Sequence, residues 1–335
     1  MKFGIGPLTT QIPADDPRTP AQKVQETVDI AVAAEEAGFD SVWVSQHHHA
    51  EDNYLSSPFT LCSAIAEATS TIEIGVGVAL APFYDPILLA EDAAMVDTIS
   101  DGRFHLGLAI GYHDPEFEQF DVPREERVPR LIDCVEVCRR AWQDGSFSYD
   151  GHTVEYEDAV VNPTPPQGED LDILVGGLSE PAIRRCVALG DGYIGGLTSP
   201  FEEIEGIAAM LEDEGADLSE FPVHLLRDGF IGDSKEDAWE GMREGLMYTQ
   251  NIYAEWFAES SDFEEMEEPD DPEAAFKAFS VYGDPDDLAD EIADYNDLFN
   301  ENSHFVMRLE YPTMELAESL DAIDRFGQEV LPQVR

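Results

Sequence analysis

The chain has 335 residues, 43% of them hydrophobic, with 72 acidic against 18 basic side chains and a formal net charge of -54. Its apolar content is enough for a large core, yet no stretch approaches the ~18 uninterrupted apolar residues of a membrane helix. Nucleic-acid binding is excluded, because phosphate backbones need a basic surface.

The length leaves one or two domains open, since α/β barrels of this size fold as one. Only Lys2, Lys23, Lys235 and Lys277 are lysines, and acids are spread through every helical segment. Block charge with few apolar residues would signal disorder or a basic partner; this spread instead predicts solvation at high salt, where ~1 M electrolyte shortens the Debye length to roughly 3 Å. Four scattered cysteines, Cys62, Cys134, Cys138 and Cys186, make no disulfide framework. They read as small core residues of a reduced, cytoplasmic protein.

Short apolar, β-branched runs alternate with amphipathic segments in chain order. The predicted strands are 2–6, 41–45, 73–80, 104–110, 171–176, 192–196, 223–231 and 304–310. The first helix, 21–37, stops at Gly38, a glycine in the usual C-terminal position. Asp284 and Pro285 open another helix as N-cap and first helical residue, and a last one is predicted from about Thr313 to Val330. Eight βα units favour a closed (β/α)8 TIM barrel, with a doubly wound open sheet as the alternative. Two segments break the rhythm after strands 4 and 7. Residues 145–168 read as a hairpin, and 247–283, with Tyr248, Tyr253, Trp256 and Phe257 before an acidic run, reads as a lid, a rim-packed helix or a dimer contact. A single domain spanning 1–335 accommodates both.

In a barrel, reactive side chains stand just past the C-terminal strand ends. After the second strand come Gln46, His47, His48 and His49. Adjacent side chains alternate in direction, so three consecutive histidines do not grip one ion. His47 suits proton transfer or hydrogen bonding to a bound ring, against the plainer reading of a satisfied structural histidine. Cys134 and Cys138 share a helical face without further ligands, so no metal site is expected. After the fifth strand, Gly177, Leu178 and Ser179 lead into a helix with Pro181 in its first turn. Free N–H groups and the helix dipole there favour an anion, and Arg184 or Arg185 adds positive charge; the alternative is an ordinary capped helix. Neither a Walker loop nor GxGxxG is present.

The segments FGIGPLTTQIPADD, EEAGFDSVWVSQHHHAE and EIGVGVALAPFYDPILLAEDAAMVDTISDGRFHLGLAIGYHDPEFEQF resemble the bacterial luciferase-like, flavin-dependent monooxygenases, in family order and over nearly the whole chain. The resemblance implies a barrel that binds FMN, or in relatives the deazaflavin coenzyme F-420, at its C-terminal mouth. It matches His47 to a catalytic histidine and Ser179 to a phosphate-contacting serine. It also places a strand-three bulge or non-prolyl cis peptide at Gly77 and Val78, and puts Ala109, Gly177, Leu178 and Arg184 beside the cofactor. Three positions depart from the pattern: Gln46 replaces a glutamate, Ala109 a reactive cysteine, and Ile110 a phosphate-binding arginine, so light emission is not implied. The expected activity is oxidation of a small organic substrate with reduced FMN and dioxygen, with a flavin reductase and a second copy of the chain as candidate partners. The alternatives are a coenzyme F-420-dependent dehydrogenase and a non-catalytic flavin-binding partner subunit.

Overall fold

The computed structural model describes residues 1–143, 145–197, 199–263 and 269–335. Its strands are β1 (Lys2–Leu8), β2 (Ser41–Val44), β3 (Glu73–Leu80), β4 (Phe104–Ala109), β5 (Phe147–Asp150), β6 (Glu155–Ala159), β7 (Ile173–Gly176), β8 (Gly192–Gly195), β9 (Val223–Ile231), β10 (Val281–Gly283) and β11 (His304–Arg308). Eight of them pair in parallel in the order β1, β2, β3, β4, β7, β8, β9, β11, and β11 returns to β1 to close the barrel. The open-sheet alternative is thereby discarded. The short β10 adds to the outer end of β9, pairing Val281 with Gly229, while β5 and β6 form an antiparallel hairpin between β4 and β7.

Parallel strands are covered on both faces, so they are apolar nearly throughout rather than alternating. All nine residues of β9 are buried. Inside the barrel, Trp43 packs with Leu174, Ile194, Leu226 and Val306; a larger shell, including Ile5, Val42, Ile74 and Phe305, fills the space between strands and helices. Trp43 needs neighbours without side chains: a Cβ on Gly75 would lie 2.2 Å from its ring. Each fully buried large side chain of this kind contributes about 1.5–3 kcal/mol.

The helices start and stop where local chemistry directs. Thr19 and Gln22 make a capping box for helix Pro20–Ala37, which ends at Gly38 with φ 88°, and Asp284 with Asp287 does the same for helix Pro285–Leu298. The last segment departs from the prediction of one helix over 313–330. An α-helix covers Leu316–Arg325, capped by Glu315, then a π turn covers Phe326–Val330 and a short helix Leu331–Val334. Gly327 within the π turn lies so close to the first helix that a Cβ would meet the Ala37 carbonyl oxygen at 2.5 Å; packing against that helix end decides the local winding. Among the described residues no helix is long and apolar enough to cross a membrane.

Candidate active site

Two to four residues past β2, the side chains of Gln46, His47 and His48 take separate directions. Gln46 Oε1 accepts the Leu80 N–H at 3.0 Å, which turns its amide nitrogen toward His48 Nε2 at 2.7 Å and the Ser56 carbonyl at 3.3 Å. A glutamate could not donate to the Ser56 carbonyl, which gives the Gln46 departure a physical reason. Burial lowers the His48 pKa, with the charge of Glu116 opposing, so the neutral ring accepts a hydrogen bond from Gln46 Nε2. His48 lies against Phe120 and Phe83, at 4.7 and 5.9 Å between ring centres. His49, at φ 56°, is exposed.

His47 is buried and points elsewhere. Its Nδ1 lies 3.1 Å from Glu116 Oε1, the oxygen that also accepts the His48 backbone N–H at 2.6 Å. Glu116 is fully buried on the short helix Asp114–Gln119 just past β4. A buried carboxylate on Nδ1 holds the proton there and leaves the Nε2 lone pair free to accept another. Around the imidazole stand Trp256 at 4.6 Å, Tyr54 at 5.0 Å, Tyr112 at 5.7 Å and Tyr253 at 5.8 Å. Tyr54 links its hydroxyl to Ser45 Oγ at 2.5 Å and to the Tyr253 hydroxyl at 2.8 Å. Burial raises the pKa of Tyr54, Tyr112 and Tyr253, so all three stay phenolic.

Beside the tyrosines, the buried Arg308 at the end of β11 stands 3.4 Å from Asp228 of β9, whose other oxygen accepts from Gln250 Nε2 at 3.0 Å. Neither terminal nitrogen of Arg308 has a hydrogen-bond partner among the described residues.

The segment 247–283 supplies Tyr253 and Trp256 from the end of helix Lys235–Ala258, then helix Pro272–Phe279; its residues 264–268 lie outside the described residues. Polar bonds fasten it to the rim after β4. His113 Nε2 meets Glu259 at 2.9 Å, Ser260 Oγ donates to the Tyr112 carbonyl at 2.7 Å, and Asp262 takes Arg127 at 2.6 Å and Arg124 at 2.7 Å.

On the other side of the mouth, the register of β3 against β4 slips between Val76 and Ala79, and the Gly77–Val78 peptide is cis. A Cβ on Gly77 would come within 2.8 Å of Ile194 Cδ1. Val78, Ala109 and Gly177 are half-buried and Leu178 is exposed, leaving a shallow apolar shelf at the strand ends. Ser179 is the N-cap of helix Glu180–Leu189, but its hydroxyl makes no capping bond. The structure separates the two arginines that follow. Arg184 is exposed and held by Glu180 and Glu214, both at 2.9 Å, so its charge is already matched on the helix surface. Arg185 is the available cation: half-buried, with Nε lacking a partner among the described residues and its pKa lowered by burial and by Arg127. An apolar shelf, open N–H groups and an unmatched guanidinium fit a flat aromatic ring with an anionic tail.

Sequence reasoning missed Glu116, and also the Arg308–Asp228 pair. A signal for the pair was present, because Arg227, Asp228 and Arg308 sit inside runs otherwise apolar enough for buried strands. Glu116 gave none, being one acid among many.

A profile of the luciferase-like monooxygenases matches residues 1–301. The oxygenase component of a flavin-dependent trigonelline monooxygenase from Acinetobacter baylyi is 25% identical over 95% of this chain and 91% of its own. An F420-dependent glucose-6-phosphate dehydrogenase from Amycolatopsis mediterranei is 27% identical over 93% and 95%. In fold, the chain resembles the monooxygenase RslO1 from Streptomyces bottropensis, with a TM-score of 0.86 over the whole of both chains at 22% identity. The chain belongs to the luciferase-like monooxygenase family, whose members are flavin- or F420-dependent oxidoreductases.

Proposed function

We propose that this chain is the oxygenase component of a two-component monooxygenase, which takes reduced FMN from a separate reductase and uses it with dioxygen on a small organic substrate. The observation that carries this reading is the His47–Glu116 pair inside an enclosure of Tyr54, Tyr112, Tyr253 and Trp256. Reduced flavin supplies the electrons that activate dioxygen. The protein's task is to keep water out and to manage one proton. Glu116 fixes the His47 tautomer, and Nε2 accepts or returns a proton at the mouth. Tyr253 and Trp256, fastened through residues 259–262, exclude solvent. Gly77, Val78, Ala109, Gly177 and Leu178 would border the ring of a bound flavin, and the N–H groups at Ser179 and the Arg185 guanidinium would hold its phosphate.

The trigonelline enzyme of Acinetobacter baylyi is named as an oxygenase component, which supports a reductase partner. The net charge of -54 disfavours the extra anionic tail of a deazaflavin coenzyme and supports FMN. Mass spectrometry of the small molecule that copurifies with the protein tests the choice. FMN mass, or stoichiometric binding of anaerobically reduced FMN, is the expected result; a deazaflavin with a polyglutamate tail would overturn the monooxygenase reading in favour of hydride transfer.

A further inference from the structure

We infer that the N-terminal end of the barrel is a binding site for a divalent transition-metal ion of the zinc class, with His105 Nε2, His304 Nε2 and Glu73 Oε2 as ligands and His224 beside the fourth position. These groups lie at the opposite end of the strands from His47. Glu73 and His304 open β3 and β11, and His105 and His224 are second in β4 and β9.

The spacing is that of a coordination sphere. Both His105 Nε2 and His304 Nε2 are 3.3 Å from Glu73 Oε2, and the three ligand atoms lie within 4.8 Å of one another. Two atoms each ~2.0–2.1 Å from a tetrahedral ion are separated by roughly 3.3–3.4 Å. Hydrogen bonding alone leaves the site incomplete: His304 Nε2 and both ring nitrogens of His224 have no partner among the described residues, although both side chains are about 1% exposed. The His224 ring stands 4.4 Å from that of His304 and 6.1 Å from that of His105. Three orphaned imidazole nitrogens in a dry site point to a missing electrophile.

The outer groups fit as well. A metal-bound imidazole is oriented through its other nitrogen. Ser41 Oγ lies 2.8 Å from His304 Nδ1, and Asp172 Oδ2 faces His105 Nδ1 at 3.4 Å, an ion-pair distance that falls short of a hydrogen bond. Lys2 Nζ binds the other oxygen of Glu73 at 2.6 Å, so among the described residues Oε2 faces only the His105 and His304 imidazoles. Glu73 and Asp172 are partly exposed, at 26% and 39% of their side chains, which gives an ion a way in from the barrel base. Two imidazoles and a carboxylate with room for a fourth donor suit zinc-class ions over calcium or magnesium.

The test uses the full-length protein stripped with a chelator and kept in molar KCl, so that the acidic surface is screened. Zn²⁺ is titrated calorimetrically, and Co²⁺ is followed by its visible ligand-field absorption and by quenching of Trp43, whose ring is 5.3–5.8 Å from all three histidines. One tight Zn²⁺ per chain and an intense tetrahedral Co²⁺ spectrum are expected, both lost in His304→Gln. Asp172→Asn, at a partly exposed position, should fold normally and weaken Zn²⁺ roughly 10- to 100-fold. Should His304→Gln fail to fold, Asp172→Asn decides. Zn²⁺ affinity unchanged in Asp172→Asn, or a Co²⁺ spectrum of octahedral type in the wild type, overturns the site and leaves a hydrogen-bonded polar layer in its place.

Discussion

At the mouth of the barrel the His47–Glu116 pair stands on a loop and a short helix past the strand ends, whereas at the base Lys2, Glu73, His105, His224 and His304 belong to the strands themselves. The base groups are locked by register: Lys2 is paired with His304, and His105 with Gly75. At the mouth, His47 and Glu116 arrive from different connections and meet because helix Asp114–Gln119 reaches the loop that follows β2. Loop-borne groups can change without disturbing the sheet; strand-borne groups cannot. The mouth is therefore where substitution should alter chemistry with little cost in stability, and the base where it should alter stability or ion binding with little direct effect on chemistry.

The sharpest test of that division is His47→Ala. With reduced FMN and a turned-over substrate, product formation should fall about 10²–10⁴-fold, equivalent to about 2.7–5.5 kcal/mol of lost transition-state stabilisation. Its melting temperature should fall only by several degrees, the cost of a small cavity beside the buried Glu116. Glu116→Gln retains the shape but not the charge that orients His47, and should cost about 10²-fold, the lower end of the range. Product formed at the wild-type rate by either variant would remove the pair from the mechanism. A collapse in melting temperature would instead show that the mouth is structural, as the base is.

Salt acts on neither end but on the shell outside them. Helix Phe201–Asp213 alone exposes Glu202, Glu203, Glu205, Glu212 and Asp213, while Glu116 and His304 are dry. Raising KCl from about 0.1 to 1 M contracts the screening length from ~10 to ~3 Å. The melting temperature should rise by roughly 10 °C, which at ~2–4 °C per kcal/mol corresponds to about 3–5 kcal/mol of relieved repulsion. The increment should be the same in His47→Ala. A flat melting curve would end the high-salt reading.

The two ends also differ in how far the sequence reveals them. The barrel strands are legible because a buried parallel strand writes itself as an apolar run, and His47 is legible because it follows such a run. Ser179 is legible as an N-cap, but not the choice between Arg184 and Arg185, which depends on Glu214 reaching across from another helix. Glu116 is hidden by composition, since 72 acids make any one of them unremarked. The base cluster is hidden by topology. Its residues come from separate strands more than 30 positions apart, so no spacing motif exists, and only closure of β11 on β1 brings Glu73, His105 and His304 together. The single charged residues inside apolar strands were the trace of both the base cluster and the Arg308–Asp228 pair.

Within the mouth, smaller substitutions grade the enclosure. Tyr253→Phe removes the 2.8 Å bond to the Tyr54 hydroxyl and leaves Tyr54 its bond to Ser45, so denaturant unfolding should report a loss of about 1 kcal/mol. Hydrogen peroxide released per flavin reoxidised should rise as solvent exclusion loosens. A loss well beyond that value would mean that Tyr253 carries the fold of the rim.

His48 gives the smallest effect, and its sign follows from burial. Its pKa lies below the usual imidazole value of 6.5 because the folded protein desolvates the ring, so on acidification the unfolded chain takes up the proton first. The stability that depends on neutral His48 is complete above pH 6.5 and drains away as the pH falls below it, with protonation also breaking the bond that His48 accepts from Gln46. In His48→Gln this contribution is absent. The melting temperatures of the two proteins, followed from pH 7.5 down to the onset of carboxylate titration, should therefore converge as the pH falls; parallel curves would mean that the His48 ring is protonated in the folded state and that Gln46 is oriented by Leu80 alone.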